Sequence, residues 1–251
     1  MSEHYIEFQN VSKAFGDNRV LEDVSFFVDP GETLVIMGRS GVGKSVTLQH
    51  LMGFLKPDRG RIWVAGEDIT DYKESQLEPI RRKVTMVFQS GALFDSLSIY
   101  ENVAFPLREQ RDWTEEHIEE IVMGLLDLLE IRELADSLPS QLSTGMKRAA
   151  AIARALAAQP EAVLYDEPTT MVDPLMSHHI GDLIEKLKHQ LKLTSVVVTH
   201  DTRLARKVAD RVMFLEAGRG VFFGTVEELA TCSEPFIREF MEQDELRPLS
   251  R

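Results

Sequence analysis

The sequence has very little cysteine and a shortage of positive charge. Cys232 is the single cysteine among 251 residues, so an internal disulfide and a cysteine-rich zinc site are both excluded. Lys and Arg number 28 against 41 Asp and Glu, which gives a net charge of −13. This balance argues against nucleic acid as a partner, because phosphate backbones are bound through clustered positive charge. It argues equally against direct adsorption to anionic lipid.

Long apolar runs are missing as well. No window approaches the ~18 uninterrupted apolar residues of a membrane-spanning helix, so direct membrane insertion is not expected. The first residues, Met1 to Tyr5, lack the positive region and apolar stretch of a signal peptide. The sequence therefore predicts a cytoplasmic protein that reaches a membrane only through a partner protein. With 43% apolar residues the chain can bury a core, which excludes wholesale disorder.

The apolar pattern predicts an α/β protein that begins with antiparallel strands. Apolar and polar residues alternate through the first thirty positions, with a turn at residues 15–18. A short apolar run at 34–37 is typical of a buried strand, and a glycine-rich turn and a helical stretch follow it. Further strands are predicted at residues 61–64, 84–88, 162–165, 195–199 and 211–215.

The region between the strands at 84–88 and 162–165 has helical character. Six apolar residues at helical spacing predict an amphipathic helix over 118–129, and an alanine-rich helix is predicted over 144–158. We therefore expect one domain over 1–251 with a helical subdomain at about 90–160. In the tail, about 225–251, a helical stripe favours packing against the chain's own core, with contact to a second protein as the alternative; it consists of Phe236, Ile237, Phe240 and Met241.

The strongest local motif follows the predicted strand at 34–37 directly. It fits the pattern G-x-x-x-x-G-K-[ST] between a strand and a helix, a context that argues against a chance glycine-rich turn. Its glycines let backbone N–H groups form a concave nest, and the helix N-terminus adds positive potential. Lys44 can reach β and γ phosphates, and the Ser45 hydroxyl can ligate Mg²⁺. The predicted nucleotide-binding residues here are Gly38, Arg39, Ser40, Gly41, Val42, Gly43, Lys44, Ser45 and Val46.

Two carboxylates end the apolar strand at 162–165. Beside the loop that carries Lys44, Asp166 can hold Mg²⁺ directly or through water. Glu167 can then polarise an attacking water molecule. An acidic strand end that merely meets solvent is the alternative, and the phosphate loop makes it the weaker one.

A third element opens the alanine-rich helix with Ser143, Thr144 and Gly145. A helix N-terminus with a hydroxyl group and a glycine is a ready anion site, although such a motif also serves as a simple helix cap. These three elements, in this order, resemble the ATP-binding subunits of ABC transporters over about residues 6–228. The resemblance implies a P-loop NTPase (RecA-like) core with an N-terminal antiparallel β-subdomain and an inserted helical subdomain.

The resemblance also assigns roles to four further residues. Phe15 stands where the family has an aromatic ring that stacks on adenine. Gln89 looks like the glutamine of the loop that contacts Mg²⁺ and the lytic water and that signals to the membrane subunit. Asp173 stands in the loop that contacts the second copy of the subunit. His200 looks like the histidine that touches the γ-phosphate, although a lone histidine at a strand end is usually a surface residue.

The family resemblance implies an ATP hydrolase that works as a homodimer with an integral-membrane permease. Ser143, Thr144 and Gly145 would complete the ATP site of the second copy, where the helix N-terminus stabilises charge on the γ-phosphate. ATP and Mg²⁺ are the expected cofactors, with Ser45 and Asp166 as metal ligands beside Gln89. The protein would then lie on the cytoplasmic face of the inner membrane.

Three residues depart from the family pattern. Thr144 replaces a glycine, and its β-branched side chain restricts the backbone and crowds close approach. Met146 replaces the common glutamine, and Val46 replaces a threonine whose hydroxyl contacts the α-phosphate. None of these changes touches Lys44 or Glu167, so an active ATPase with a modest nucleotide affinity is expected.

The transporter type is suggested by residues 88–94 and 102–109, FQSGALF and NVAFPLRE. They are similar to the ATPases of Mla (maintenance of lipid asymmetry) systems, which work with MCE-type (mammalian cell entry) lipid-binding proteins to move phospholipid between Gram-negative membranes. An MCE-type protein and a small accessory subunit are thus expected partners. The alternatives are an ABC ATPase for another cargo such as amino acids, a permease-independent ABC ATPase, and a nucleotide sensor without turnover. The alternative for residues 90–109 is that they form a generic packing segment of the helical subdomain. Phe94, Tyr100 and Phe105 would then be core residues.

Overall fold

Two β-sheets and an inserted group of helices form the computed structural model, which describes residues 3–110 and 113–245. The strands are β1 (Ile6–Phe15), β2 (Asn18–Val28), β3 (Thr33–Met37), β4 (Arg59–Val64), β5 (Glu67–Asp68), β6 (Val84–Val87), β7 (Ala162–Asp166), β8 (Thr194–Thr199), β9 (Arg211–Glu216) and β10 (Arg219–Thr225). The helices are α1 (Lys44–Leu51), α2 (Glu74–Lys83), α3 (Ile99–Gln110), α4 (Glu115–Leu128), α5 (Thr144–Ala157), α6 (Pro174–Leu191), α7 (Thr202–Val208), α8 (Val226–Ala230) and α9 (Pro235–Glu245).

The first sheet is antiparallel and has the strand order β2-β1-β4-β5. Its hairpin pairs Ile6 with Val28 and Phe15 with Asn18, across the turn that the sequence predicts. The second sheet has the order β10-β9-β3-β8-β7-β6, with β9, β3, β8, β7 and β6 parallel and β10 antiparallel to β9. The expected α/β core with antiparallel strands at its start is therefore confirmed.

Strand β3 separates the two hydrophobic cores of the described chain. Its side chains alternate between the cores because successive residues of a strand point to opposite faces. Leu34 and Ile36 pack with the antiparallel sheet and α1, whereas Val35 and Met37 pack with the inserted helices. All five residues of β3 are buried, which explains why this strand reads as one continuous apolar run. The loop after β3 thus starts from a fixed position.

The helices between β6 and β7 are α3, α4 and α5, with two short 3-10 helices at Arg132–Leu134 and Pro139–Gln141. The predicted helix over 118–129 is α4, and the alanine-rich helix is α5, which ends one residue earlier than predicted. Alanine lets α5 pack closely against its neighbours, and Ala150, Ala153 and Ala157 are fully buried. Phe94 and Phe105 are 43% and 40% exposed, so the alternative in which these rings are core together with Tyr100 is wrong for both. Tyr100 is half-buried and packs against the core.

Two strands escape the sequence pattern. β5 has only two residues, and β10 contains Gly220 and Gly224, which resemble turn residues. β10 is the edge strand of the second sheet and is held in an extended conformation by its pairing with β9. An edge strand has a paired neighbour on one side only. In the tail, the rings of Phe236 and Phe240 meet the ring of Phe214 edge-on at 5.8 and 5.0 Å. The apolar stripe of α9 therefore packs against the chain's own core, which is the alternative that the sequence analysis favoured.

No described helix has the length and apolar character that a membrane span requires.

A buried asparagine shapes the segment between β6 and α3. The Asn102 side chain is fully buried and its amide nitrogen donates to the carbonyl oxygens of Phe94, Leu97 and Ser98 at 3.0–3.1 Å. Its amide oxygen accepts from the N–H of Phe94 at 2.8 Å. One side chain thus contacts four backbone groups. The carbonyl oxygens of Phe94 and Ser98 also accept from the N–H groups of Leu97 and Asn102, whereas the N–H of Phe94 and the carbonyl of Leu97 depend on the Asn102 side chain among the described residues.

We expect Asn102→Ala to lower the free energy of unfolding by about 2–3 kcal/mol, because the buried amide is lost and the N–H of Phe94 and the carbonyl of Leu97 lose their partner. Denaturant unfolding measures the difference. Asn18→Ala, at an exposed position of β2, is the matched control and should change stability by less than about 0.5 kcal/mol. Equal stabilities of Asn102→Ala and the unaltered protein would contradict this account.

Candidate nucleotide site

The loop between β3 and α1 has a backbone that glycine alone adopts without strain. Gly38 has a φ of +148°, and a Cβ there would collide with the carbonyl oxygen of Leu215. Gly43 has a φ of +107°, and a Cβ there would lie 2.8 Å from the carbonyl oxygen of Val20. The loop is therefore pressed against β9 on one side and β2 on the other.

Lys44, the first residue of α1, is buried beneath this loop with 6% of its surface exposed. Its ammonium group donates to the carbonyl oxygens of Gly38 and Arg39 at 2.8 and 3.1 Å. The same Nζ lies 3.3 Å from Oε1 of Glu167. The ammonium group thus holds the loop in a curve and contacts the predicted base.

Ser45 and Asp166 meet where β7 ends. The Ser45 hydroxyl donates to Oδ1 of Asp166 at 2.9 Å, across 121 positions of sequence. Burial raises the pKa of Asp166, and the hydrogen bond from Ser45 opposes that shift. A hydroxyl and a carboxylate that share one corner of the site are oxygen donors of the kind Mg²⁺ prefers. The donor set therefore fits a magnesium ion, with Gln89 lining the same cavity.

Glu167 is fixed by three side chains and by an uncommon backbone conformation. Its φ is +48°, a region that residues other than glycine rarely adopt. Its Oε2 lies 2.8 Å from Nδ1 of His200 and accepts from the Thr170 hydroxyl at 3.1 Å. Burial by itself would raise the pKa of Glu167, but His200 and Lys44 outweigh it and the pKa is lowered. Glu167 is therefore held as a carboxylate.

The hydrogen bond to Glu167 raises the pKa of His200 and outweighs the opposing effect of burial. The histidine side chain remains 41% exposed, so its contact with Glu167 lies at the mouth of the site. These groups surround one cavity of about 290 Å³. It is lined by Val20, Ser40, Gly41, Gly43, Lys44, Ser45, Val46, Gln89, Glu167, Thr170 and His200.

The structure distributes the other predicted residues around this cavity. Phe15 is 47% exposed, with the ammonium group of Lys13 5.6 Å from its ring centre. Arg39 points away towards α9: its guanidinium lies 4.9 Å from the ring centre of Phe236 and 3.9 Å from Oε1 of Glu239. Only its backbone is available to the phosphate cradle.

Two predicted segments lie at helix starts and outside the cavity lining. Ser143 caps α5 by accepting from the N–H of Met146 at 3.3 Å, and Thr144 and Gly145 form the first turn. Asp173 caps α6 in the same way, accepting from the N–H of Met176 at 3.0 Å. Val42 is half-buried and packs with the core that lies between the antiparallel sheet and α1. Val46 and Thr144, two of the departures from the family pattern, lie in the first turns of α1 and α5, and both helices form.

Sequence reasoning missed two residues that line the cavity. Val20 reads as an ordinary strand residue, and only the pairing of β2 beside the loop brings it to Gly43. Thr170 lies three residues after Glu167, and this spacing in the turn after β7 could have indicated its contact with the carboxylate.

A family model described as "ABC transporter" matches residues 21–170. The chain belongs to the ABC transporter family of ATP-binding proteins. It is accordingly an ATP-binding ATP hydrolase of that family.

Particular relatives differ in their named cargo. The chain is 38% identical over 244 residues to the "Probable ribonucleotide transport ATP-binding protein mkl" of Mycobacterium leprae, covering 97% of this chain and 70% of the relative. It is 36% identical over 249 residues to the intermembrane phospholipid transport system ATP-binding protein MlaF of Haemophilus influenzae, covering 99% and 94%. Against the methionine import ATP-binding protein MetN of Clostridium tetani it is 37% identical over 243 residues, covering 97% and 76%.

Solved structures share the fold closely. The ATP-binding cassette MJ0796, in a dimeric post-hydrolysis state bound to ADP and Pi, superposes with a TM-score of 0.81 at 32% identity, covering 88% of this chain and 98% of that one. The cbiO1 protein of Clostridium perfringens, part of the ABC transporter complex cbiONQ, has a TM-score of 0.85 at 28% identity, covering 96% and 100%.

The Glu167–His200 pair predicts a pH-dependent contribution to stability. The glutamate contribution is present above its unfolded pKa of 4.5 and is lost as the pH falls through its lowered folded value. The histidine contribution is complete below its unfolded pKa of 6.5 and is lost as the pH rises through its raised folded value. Both groups therefore stabilise the fold fully between these two unfolded values.

We expect His200→Gln to lower the free energy of unfolding most near pH ~5.5 and progressively less towards pH ~9. Denaturant unfolding of nucleotide-free protein at several pH values measures this trend. His178→Gln is the control, because His178 is 71% exposed and 3.6 Å from Asp182. A His200→Gln effect that is independent of pH would show that the ion pair contributes nothing.

Proposed function

We propose that two copies of this chain bind MgATP at a shared interface and that hydrolysis drives phospholipid transport through a separate permease. The observation that carries the hydrolytic part is the cavity that Lys44, Ser45, Glu167 and His200 line together, with Asp166 bonded to Ser45 and Glu167 bonded to His200. These are a phosphate-binding cation, a metal-binding oxygen pair and a held carboxylate base, the three functions that phosphoryl transfer to water needs.

Bound triphosphate replaces the partners of the Lys44 ammonium group. The β and γ phosphate oxygens take over from the Gly38 and Arg39 carbonyl oxygens and from Glu167, which lies 3.3 Å away. Glu167 is then free to accept a hydrogen bond from the attacking water, because His200 and Thr170 still orient its carboxylate. The lowered pKa of Glu167 keeps it ionised for this task.

Ser45, Asp166 and Gln89 are the residues that would hold Mg²⁺, which supplies charge compensation on the phosphate oxygens when it is bound. Phe15 would stack on the adenine, since its ring is exposed beside the start of β2. The loop N–H groups of residues 38–46 would hold the phosphates.

Dimer formation is supported by exposed apolar residues beside Asp173. Met171 is 88% exposed and Leu175 is 77% exposed, although both are large and apolar. Apolar groups at such a rim favour burial against another surface. In the dimer, Ser143, Thr144 and Gly145 of each copy would face the γ-phosphate of the other.

Phospholipid is the favoured cargo because MlaF of Haemophilus influenzae aligns over 94% of its length and because residues 88–109 are similar to Mla ATPases. An integral-membrane permease, an MCE-type lipid-binding protein and a small accessory subunit are then the partners. The ATPase would lie in the cytoplasm against the inner membrane. Another cargo is the second candidate, since mkl and MetN are 38% and 37% identical to the chain.

Glu167→Gln should reduce ATP hydrolysis about 100-fold or more while ATP binding survives, because the base is lost and the phosphate cradle remains. Lys44→Met should instead weaken ATP binding and turnover together. Phosphate release and equilibrium ATP binding measure the two effects. Glu185→Gln, the same change on α6, is the control and should leave both quantities unaltered.

Size-exclusion chromatography of Glu167→Gln with ATP should yield a dimer. A monomer that retains ATP would contradict the shared interface. Equal and negligible hydrolysis by Glu167→Gln and the unaltered protein would instead favour a nucleotide sensor.

The cargo is tested by purifying the chain together with its membrane subunits and identifying bound lipid by mass spectrometry. We expect phospholipid in the complex and none with the ATPase chain alone, which is carried through the same extraction. A complex without phospholipid, whose ATPase is stimulated by a soluble-substrate binding protein, would reject phospholipid as the cargo.

A further inference from the structure

The turn that carries Gln89 is built around one backbone carbonyl group. The N–H of Gly91 donates to the carbonyl oxygen of Phe88 at 2.8 Å, which closes a four-residue turn over 88–91. Gln89 is the second residue of this turn and lines the nucleotide cavity. The position of the Phe88 carbonyl therefore sets where Gln89 stands.

Arg148 of α5 supplies a second donor to the same carbonyl group. Its Nη1 lies 2.6 Å from the oxygen of Phe88, across 60 positions of sequence. Arg148 is only 3% exposed. Since a charged donor makes a stronger hydrogen bond than a neutral one, the turn is tied to α5 at least as firmly as it is tied within itself.

Burying the guanidinium group of Arg148 costs desolvation free energy. Its Nε is buried without a hydrogen-bond partner among the described residues. Burial lowers the pKa of Arg148, and the charge of Asp166 opposes the shift. An apolar side chain of similar length would fill the same space without the desolvation cost. Packing alone therefore does not explain an arginine here, whereas its bond to Phe88 does.

Arg148 also lies one helical turn after Thr144, the first residue of α5. Residues four apart share one face of a helix. Under the proposed function, the start of α5 meets ATP held by the second copy. Because a helix moves as a rigid element, a displacement of its start is carried to Arg148 and to the Phe88 carbonyl.

We propose that Arg148 is a positioning residue for ATP hydrolysis, which acts through the Phe88 carbonyl to hold Gln89 at the nucleotide site. The inference rests on the proposed function of Gln89 and adds α5 as the element that sets its position. Arg154 supports the next part of the turn, donating to the carbonyl oxygens of Ala92 and Gly91 at 2.7 and 3.3 Å.

Arg148→Met removes the charge and the donor but keeps an apolar stem. We expect kcat to fall about 10- to 100-fold, while the Kd for ATP, measured in the Glu167→Gln background, changes less than about threefold. Arg148→Lys keeps a charge but loses the planar fork, and should give an intermediate kcat. Steady-state kinetics with MgATP and equilibrium binding measure these quantities, and thermal unfolding verifies that each variant is folded.

Lys186→Met is the matched control. It also removes a cation that donates to one backbone carbonyl, that of Leu128 at 3.3 Å, but on α6. Its kcat should equal that of the unaltered protein. Gln89→Ala is measured alongside, and adding Arg148→Met to it should slow the enzyme by less than about threefold, since both changes act through one side chain.

A folded Arg148→Met or Arg148→Lys protein with unaltered kcat overturns the inference. So does a loss of kcat that only follows a loss of ATP affinity, which a general structural role would produce. If Arg148→Met does not fold, a reduced kcat with an unaltered Kd in Arg148→Lys supports the inference. Full activity of Gln89→Ala would instead refute the proposed function of Gln89, whatever the Arg148 variants do.

Discussion

The buried ammonium group of Lys44 joins the two halves of the site. It binds two carbonyl oxygens of the phosphate loop and lies 3.3 Å from Glu167 at the end of β7. A cation with this little exposure is costly unless negative groups surround it, so the loop and the carboxylate must stay close. A triphosphate offers the same negative charge, which is why the contacts that shape the loop also suit nucleotide binding.

Around this cation, the sheet order converts separate strand ends into one site. The parallel strands β3, β8, β7 and β6 are neighbours, and the segments after each of them supply Lys44, His200, Glu167 and Gln89. Ligands of open α/β sheets bind at these carboxyl ends. The positive φ of Glu167 is tolerated there because several side chains fix its carboxylate, a form of strain that recurs at active sites.

Much of this arrangement could be predicted from the sequence. The phosphate loop, the carboxylates after β7 and the start of α5 are local motifs whose residues are close in sequence, so their spacing alone indicates their chemistry. Val20 and Arg148 gave no such signal. Val20 reads as an ordinary strand residue, and Arg148 reads as one residue of an alanine-rich helix. Packing brings Val20 to the cavity lining and Arg148 to the carbonyl oxygen of Phe88.

The sequence by itself determined most of the strands and the helices α1, α4 and α5, since apolar periodicity and glycine positions act over a few residues. It also determined which groups could hold phosphate and metal. Only the tertiary structure decided which groups meet: Ser45 with Asp166, Glu167 with His200, and Phe88 with Arg148. These contacts span 33 to 121 positions and arise from burial and strand order, which no local pattern encodes.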